Sequence, residues 1–304
     1  MNIVVIGAGA LGAYFGGRLH EGGANVTFLV REGRAKQLKE NGIHITSPKG
    51  DYKLEDPNFV TDVSEIEHAD LVLVSVKGYH VNGTLDSLKT LTENGASVLP
   101  VLNGMEHISM LQDQLGKDFV LGGLSFIIAT LDDNGHVIHS SDFDDLIFGP
   151  LQPTQKTICQ ELEDTMNKTS VTVTNTEDIM RELWKKYTFI NAFSGITTAT
   201  NLSIGSIRQE AETFRIAEMI LHEMKILAKA YNVEIHEEEI EAAKDKLRNL
   251  PADATSSMHQ DRRKGLTLEV DHLHGGALRL AKAKGVEMPY TESIHGLIKP
   301  FENK

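Results

Sequence analysis

A glycine-rich turn near the start of the chain constrains the fold more than any other feature. The β-branched run at residues 3–6 leads directly into the hexapeptide Gly7-Ala8-Gly9-Ala10-Leu11-Gly12. This is the pattern G-x-G-x-x-G between a strand and a helix. In it the first glycine permits the tight turn, the second lets a diphosphate approach the backbone, and the third lets the helix pack closely on the strand. The free N–H groups at the helix N-terminus would hold the diphosphate. We therefore predict that residues 7–12 bind a dinucleotide.

The order of the predicted elements indicates an α/β fold in the first half of the chain. Helix-like stretches alternate with short runs of buried-strand character, as is typical of βαβ units around a parallel sheet. The strands are expected at residues 2–6, 25–30, 71–76, 97–101 and 119–124, and the first two helices at residues 10–20 and 34–40. Residues 42–54 are expected to form an antiparallel hairpin, and weaker strands are expected at residues 136–140, 146–148 and 171–174.

The second half of the chain differs in its hydrophobic pattern and in its composition. It consists of long segments with helical periodicity that are rich in Ala, Glu, Lys and Leu, at residues 178–193, 211–231, 237–247 and 268–283. We expect no strand there. The sequence thus predicts a Rossmann-like dinucleotide-binding domain at residues 1–175, followed by an all-helical substrate domain at residues 176–304.

The composition argues against several classes of partner. Lys and Arg number 30 against 43 Asp and Glu, which gives a formal net charge of −13. Nucleic acids and anionic membranes both require a basic face. The longest apolar runs are of strand length, far below the roughly 20 residues of a spanning helix. The single cysteine, Cys159, precludes an internal disulfide and fits a reducing compartment. We expect a cytoplasmic protein, either a monomer or a homodimer.

The type of dinucleotide is indicated at the end of the second strand. An acidic side chain there would hold the ribose hydroxyl of NAD, whereas an arginine would accommodate the 2′-phosphate of NADP. The strand ends in Arg31, with Arg34 and Lys36 close behind it. A guanidinium binds a phosphate through two hydrogen bonds, so these charges favour NADP. In the alternative, Arg31 is a solvated strand-end residue and Glu32 binds the ribose of NAD.

Polar residues at two further strand ends are candidates for the ligand site. In doubly wound sheets the ligand lies beyond the carboxyl ends of the strands. Lys77 follows one predicted strand and Asn103 the next. By default Lys77 would be a surface lysine, and Asn103 with Gly104 would form a turn.

The helical half contains two segments with candidate catalytic or substrate-binding residues. Lys186 lies in an otherwise apolar stretch, and helical spacing places Ile190 and Ser194 on its face. Residues 256–261 have the sequence Ser-Ser-Met-His-Gln-Asp, and Glu269 follows Ser257 by twelve residues. A solvated helix face is the simpler interpretation of these charges. Spacing alone does not bring Glu269 to Lys186. No metal is expected, because His272 and His274 are two residues apart and point to different helix faces.

The whole chain resembles the ketopantoate reductase (2-dehydropantoate 2-reductase) family, which reduces a 2-oxo acid with NADPH. No single motif is specific, but six of them occur in the family's order across both predicted domains. They are residues 7–12, Val76-Lys77, Leu102-Asn103-Gly104-Met105, Trp184-Lys185-Lys186, residues 256–261 and Leu268-Glu269-Val270-Asp271.

The resemblance implies a role for each matching residue. Lys186 corresponds to the general acid, Ser257 to a substrate-binding serine and Glu269 to the family's glutamate, which we assign to the cofactor site. Lys77 and Asn103 fall at the nicotinamide end, and Asn103 would also touch the substrate. A weaker alignment through residues 122–124 places another cofactor contact at Ile128. The implied reaction is reduction of 2-dehydropantoate to pantoate, a step in pantothenate and coenzyme A biosynthesis, with a small 2-oxo acid as the partner.

The chain departs from the family at two substrate positions. Well-characterised members place asparagines four and eight residues after the lysine, where this chain has Ile190 and Ser194. Asn191 is one residue off, about 100° around the helix. Ser194 could donate a hydrogen bond and Ile190 none, so a hydroxyl-bearing substrate should be handled differently. Two alternatives therefore stay open: an NADP-dependent reductase of another 2-oxo acid or related carbonyl, and a non-catalytic NADP-binding sensor.

Overall fold

The chain folds into two compact units in a computed structural model that describes residues 1–303. The first, here called the sheet unit, comprises Met1–Leu102 and His107–Ile179. The second, the helical unit, begins at Met180 and also includes the short segment Asn103–Glu106. The predicted class, a Rossmann-like α/β domain followed by a helical domain, is confirmed.

All strands of residues 1–303 lie in the sheet unit. They are β1 (Asn2–Ile6), β2 (Asn25–Leu29), β3 (Ile43–Thr46), β4 (Tyr52–Leu54), β5 (Asn58–Val60), β6 (Leu71–Val74), β7 (Ser97–Pro100), β8 (Gly122–Leu131), β9 (Val137–Gly149) and β10 (Val173–Asn175). The helices of the first half are α1 (Ala10–Glu21), α2 (Glu32–Asn41), α3 (Leu85–Glu93), α4 (Glu106–Leu115) and α5 (Lys156–Met166).

The helices that follow form the helical unit. They are α6 (Ile179–Thr200), α7 (Ile204–Gln209), α8 (Ala211–Ala230), α9 (Glu237–Asn249), α10 (Ser257–Arg263), α11 (Gly276–Lys284) and α12 (Pro289–Ile298). A single π-helical turn, Asp271–Gly275, leads into α11. No helix of residues 1–303 is both long and apolar enough to cross a bilayer.

The first sheet is parallel throughout, with the strand order β5-β2-β1-β6-β7. Its central strand β1 alternates between two cores because successive side chains of a strand point to opposite faces. Ile3 and Val5 pack on the face that carries Phe15 of α1, whereas Val4 packs on the face that carries Leu88 of α3. Both faces are therefore covered, and the glycine-rich turn lies at the carboxyl end of a strand that is buried from Ile3 to Ile6.

A second sheet has the order β10-β9-β3-β4, with β8 paired to β9. The predicted hairpin is confirmed as the antiparallel pair β3–β4, and β10 is an edge strand, as expected. The buried strand expected at residues 119–124 is confirmed in part, because residues 120–124 are buried but only residues 122–124 belong to a strand. Val120 only bridges Val98, and the strand itself, β8, begins at Gly122 and runs antiparallel to β9.

The two weak strands expected at residues 136–140 and 146–148 are one continuous strand, β9. The buried positions in its middle are polar, namely His139, Ser141 and Asp144, which obscures the alternation in the sequence, and pairing with β8 keeps the segment extended. The edge strand β5 was not predicted, because three residues are too few to show a period.

Candidate active site

The glycine-rich loop is held in shape by its own backbone and by the end of β6. Gly7 has a φ of +95°, and a Cβ there would lie 2.7 Å from Cγ1 of Val76. A Cβ on Gly12 would collide with the carbonyl oxygen of Gly7 and with Oγ of Ser75. Both positions therefore exclude a side chain for reasons internal to the protein.

Gly9 differs, because a Cβ built there has no atom within 4 Å. It precedes α1 with φ −72° and ψ −167°, values open to any residue, and no side chain caps the helix. The protein itself therefore has no steric need for glycine at this position. Exposed backbone at an uncapped helix N-terminus fits the diphosphate of a dinucleotide. The remaining residues of the motif are buried or half-buried: Ala8, Ala10 and Leu11.

Two residues that support the loop were not identified as such from the sequence. The Ser75 hydroxyl donates to the carbonyl of Gly7 at 2.7 Å. Arg34 donates from Nε to the carbonyl of Ala8 at 2.8 Å and from Nη2 to that of Gly135 at 2.9 Å. The interpretation of Arg34 as a phosphate-binding charge is thus corrected, since its guanidinium is occupied in holding the loop. An arginine 22 residues beyond Gly12 in the sequence gives no sign of this role.

Arg31 remains available at the predicted position. It is exposed, lies two residues beyond the end of β2 and directly precedes α2. It lies close enough to His80 to affect that side chain, whose pKa is lowered by burial and then by the Arg31 charge. Lys77 is half-buried and directly precedes the 3-10 segment Gly78–Thr84, which follows β6.

Ile128 lies at an irregularity of the second sheet. The register of β8 and β9 shifts between Ile127 and Ala129, and the Ile128 N–H bonds to Oγ of Ser141 at 3.0 Å. Its side chain is 54% exposed, which is unusual for isoleucine and compatible with a ligand contact. Its role stays a prediction.

The helical unit brings Lys186 and Glu269 together. Lys186 lies on α6 with 8% of its surface exposed, and Glu269 is 4% exposed just before the π turn. Burial lowers the pKa of Lys186 from 10.5 to about 8, and the charge of Glu269 opposes part of this shift. A buried lysine beside a buried carboxylate is an arrangement suited to proton transfer near neutral pH.

The two positions that follow Lys186 on its helix face have different environments. Ile190 is half-buried and Ser194 is 5% exposed. Asn191 is fully buried, and its Nδ2 donates to the Tyr187 carbonyl at 3.0 Å. The Asn191 amide is therefore directed into the helical core, in keeping with the expectation that it does not replace an amide at position 190.

The paired serines have separate environments. Ser256 is buried and caps α10, accepting a hydrogen bond from the His259 N–H at 3.1 Å. Ser257 is exposed as the first residue of the helix. The structure thus leaves the hydroxyl of the predicted serine, rather than that of its neighbour, open to a ligand.

Asn103 belongs to the helical unit, although it follows a strand of the first sheet. Its carbonyl accepts a hydrogen bond from Nε2 of His272 at 2.7 Å. The structure therefore groups the predicted residues into two sets. Residues 7–12, Arg31, Lys77 and Ile128 lie in the sheet unit, and the helical unit holds Asn103, Lys186, Ile190, Ser194, Ser257 and Glu269.

His272 and His274 bond in different directions, as their spacing predicts. His272 bonds to Asn103, whereas Nε2 of His274 bonds to the carbonyl of Asn191 at 3.0 Å. Burial lowers the pKa of His274 to about 4. Across residues 1–303, no three His, Cys, Asp or Glu side chains are placed to hold a metal ion.

Comparison with known proteins gives a consistent result. The family model described as ketopantoate reductase PanE/ApbA matches residues 3–153, and the model for its C-terminal domain matches residues 178–302. The uncharacterized oxidoreductase YkpB of Bacillus subtilis (strain 168) is 32% identical over 302 residues, which cover 99% of both chains.

Solved structures extend the likeness to the whole fold. The 2-dehydropantoate 2-reductase of Geobacter metallireducens GS-15 superposes with a TM-score of 0.91 at 25% identity, over 99% of both chains. A ternary structure of D-mandelate dehydrogenase with NADH and anilino(oxo)acetate gives 0.88 at 21% identity, over 99% of this chain and 98% of that one. At this lower identity the likeness concerns the fold alone.

Proposed function

Because the chain belongs to the ketopantoate reductase family, a family of oxidoreductases, we propose that it reduces 2-dehydropantoate to pantoate with NADPH. The observation that carries this proposal is Lys186, a buried amine whose pKa is lowered to about 8 beside Glu269. A solvated lysine on a helix face would have neither property.

Reduction of a 2-oxo acid adds a hydride to C2 and leaves negative charge on the carbonyl oxygen. Bound NADPH would supply the hydride. The Lys186 ammonium stabilises the developing charge and donates its proton to that oxygen. Glu269 keeps enough of the lysine protonated at neutral pH, because its negative charge raises the pKa that burial lowers.

The residues that would hold the dinucleotide fit its chemistry. The exposed backbone at Gly9 and the uncapped start of α1 suit the diphosphate. Arg31 is exposed and suits the 2′-phosphate that distinguishes NADPH from NADH. Lys77, Asn103, Ile128 and Glu269 are the proposed contacts further along the cofactor. Michaelis constants for the two coenzymes test this preference, and a clear preference for NADH would contradict the role of Arg31.

Substitution of Lys186 tests the catalytic proposal, and its neighbour provides a matched control. Lys186→Met removes the proton donor, so turnover should fall by about 10²–10⁴-fold. Lys185→Met changes an adjacent lysine that pairs with Glu182 at 2.9 Å and is 38% exposed, and it should leave turnover nearly unchanged. A loss below about tenfold in Lys186→Met would contradict the role of general acid.

The pH dependence of turnover tests the pairing with Glu269. Reduction requires the ammonium, so the rate should fall as pH rises through about 8, the pKa of Lys186. In Glu269→Gln the charge that raises this pKa is absent, and the alkaline limb should move to lower pH. A limb that stays in place, or moves upward, would show that another group titrates.

A second candidate substrate class is favoured by Ile190. This aliphatic side chain lies one turn from Lys186 and offers no hydrogen bond to a substrate hydroxyl. A 2-oxo acid with an apolar substituent would suit it better, because burying an apolar group against an isoleucine leaves no polar group unpaired. A panel of 2-oxo acids assayed with NADPH separates the two, and Ile190→Asn should improve kcat/KM only for the hydroxyl-bearing substrate.

A further inference from the structure

The segment that carries Asn103 is anchored at two points within the helical unit. His272 Nε2 donates to the Asn103 carbonyl at 2.7 Å. Three residues on, the carboxylate of Glu106 accepts two parallel bonds from Arg279, at 2.8 Å from Nε and 2.7 Å from Nη2. Paired arginine–carboxylate bonds fix orientation as well as distance. The backbone of Asn103–Glu106 is therefore held at both ends.

The two anchoring side chains come from the π turn and from the helix that follows it. His272 lies in the π turn Asp271–Gly275, and Arg279 lies in the first turn of α11. The Gly276 N–H bonds to the carbonyl of Asp271, five residues back, which is the π-helical spacing. Arg279 also donates to Asp271, at 3.2 Å to Oδ2 and 3.1 Å to the carbonyl. Single π turns within helices are uncommon and occur frequently at functional sites.

The same turn is bonded to the helix that carries Lys186. The hydroxyl of Tyr187, the next residue along α6, donates to the carbonyl of Leu273 at 2.5 Å. His274 bonds to the carbonyl of Asn191 on the same helix. Glu269 lies two residues before the turn and bonds to it through its carbonyl, which accepts from the Leu273 N–H at 2.9 Å. The π turn thus forms hydrogen bonds with Asn103, with Glu269 and with Tyr187, the neighbour of Lys186. It therefore contacts the chain at or next to three residues of the proposed site.

The side chain of Asn103, unlike its backbone, is not held by the helical unit. It is half-exposed, and its amide has no hydrogen bond to any of residues 1–303. Only its backbone is engaged by the helical unit. An asparagine whose backbone is fixed while its amide stays open is preorganised to bind a ligand.

We propose that the π turn fixes Asn103 for ligand binding, with His272 as a positioning residue that acts through the Asn103 carbonyl and Arg279 as a second anchor through Glu106. This inference rests on the proposed function, in which the Asn103 amide contacts the nicotinamide end of NADPH and the 2-oxo acid. Without the anchors, the Asn103 amide would sample many positions. Ligand binding would then have to order residues 103–106, and the cost of that ordering would weaken the affinity.

A double-mutant cycle on the full chain tests whether His272 acts through Asn103. The readouts are the NADPH dissociation constant from coenzyme fluorescence, then kcat and KM for the 2-oxo acid. His272→Leu should raise the dissociation constant about tenfold, which corresponds to about 1.4 kcal/mol of binding free energy, because the unanchored amide must be ordered on binding. His272→Gln keeps an N–H near the position of Nε2 and should restore most of the affinity. His222→Leu, which replaces a half-buried histidine of α8, is the matched control and should match wild type.

The decisive comparison is the double variant. If His272 acts through Asn103, Asn103→Ala with His272→Leu should bind NADPH no more weakly than Asn103→Ala alone. Multiplied effects, or unchanged affinity and kcat/KM in His272→Leu, would overturn the proposal. If His272→Leu does not fold, Arg279→Gln replaces it in the same cycle through Glu106, and the same two results support or overturn the proposal.

The outcome separates this inference from the proposed function. A wild-type protein that binds NADPH but reduces no 2-oxo acid would contradict the proposed activity, while the binding cycle would still decide the role of His272. A wild-type protein that binds no NADPH would overturn both.

Discussion

Gly9 and Gly12 lie three residues apart in one loop and are glycines for different physical reasons. A side chain at position 12 meets the Gly7 carbonyl and Ser75, so the protein excludes it. A side chain at position 9 meets open space, so only a ligand would exclude it. The motif in the sequence does not distinguish these two requirements, because the letter is the same in both.

This contrast gives a prediction with a built-in control. Gly12→Ala should destabilise the fold by roughly 3 kcal/mol or more, because backbone atoms must move to accept the methyl group. Gly9→Ala should stay within about 1 kcal/mol of wild type, since a less flexible unfolded chain offsets a poorer helix start. Gly9→Ala should nevertheless weaken NADPH binding by about tenfold, or 1.4 kcal/mol.

Urea denaturation measures the first quantity and fluorescence titration the second. Gly9→Ala with wild-type affinity would show that the diphosphate does not approach this backbone. Equal loss of stability in the two variants would contradict the steric distinction between them.

Lys185 and Lys186 are a second case in which identical residues have different roles that the sequence does not distinguish. The sequence places two lysines side by side, and the resemblance to a family was needed to select one of them. In the structure Lys185 pairs with Glu182 and is 38% exposed, whereas Lys186 is buried near a residue 83 positions away. Adjacent residues on a helix point about 100° apart, which is enough to separate solvent from core.

At the scale of elements, α12 depends on a residue of α8. The buried carboxylate of Glu223 accepts bonds from the Tyr290 N–H and the Thr291 N–H at 2.8 Å each, and from the Thr291 hydroxyl at 2.7 Å. These are N–H groups of the first helical turn, which have no partner within the helix. A negative charge at this end is also favoured by the helix dipole.

Glu223→Gln should therefore destabilise the protein by about 1–3 kcal/mol, because an amide N–H would face N–H donors in a buried position. Glu218→Gln on the same helix removes only a surface pair with Arg248 and should cost no more than about 1 kcal/mol. Hydrogen exchange of α12 and urea denaturation provide the measurements. Similar losses in both variants would mean that Glu223 does not act as the cap.

Predictability also differed among the elements. The bounds of β1, α1 and β2 follow closely from their patterns, since each is a regular element with a buried face. The strands of the second sheet were less predictable, because β9 owes its extended form to pairing with β8, and its polar middle carries no period. The π turn could not be anticipated, since residues 268–283 show an ordinary helical pattern.

Across the whole molecule, the residues proposed to hold the diphosphate and the 2′-phosphate, residues 7–12 and Arg31, lie in the sheet unit, whereas the proposed acid Lys186 lies in the helical unit. A dinucleotide that binds the sheet unit should protect mainly that unit. At a concentration of 100 times its dissociation constant, a ligand stabilises its binding state by about 2.7 kcal/mol. NADPH should therefore raise the melting temperature and slow hydrogen exchange in peptides that cover residues 7–12 and Arg31.

Peptides from α8 and α9 provide the internal reference and should change little. NADH at equal concentration should give a smaller shift, because it lacks the phosphate proposed to bind Arg31. Arg31→Ala should reduce the difference between the coenzymes. Protection confined to α8 and α9, or no thermal shift with either coenzyme, would contradict the assignment of the dinucleotide to the glycine-rich loop.

The fold class and the dinucleotide motif could be predicted from the sequence, because each depends on neighbours close in the chain, whereas the candidate catalytic residues were selected through the resemblance to a family. Steric demands at the turn and the periods of strand and helix are local properties. The tertiary structure alone decided that Arg34 supports the loop, that Asn103 is anchored by His272, and that Glu269 lies near Lys186. These depend on burial and on contacts between residues far apart in the chain, and a pKa of about 8 for a lysine exists only where folding has removed the surrounding water.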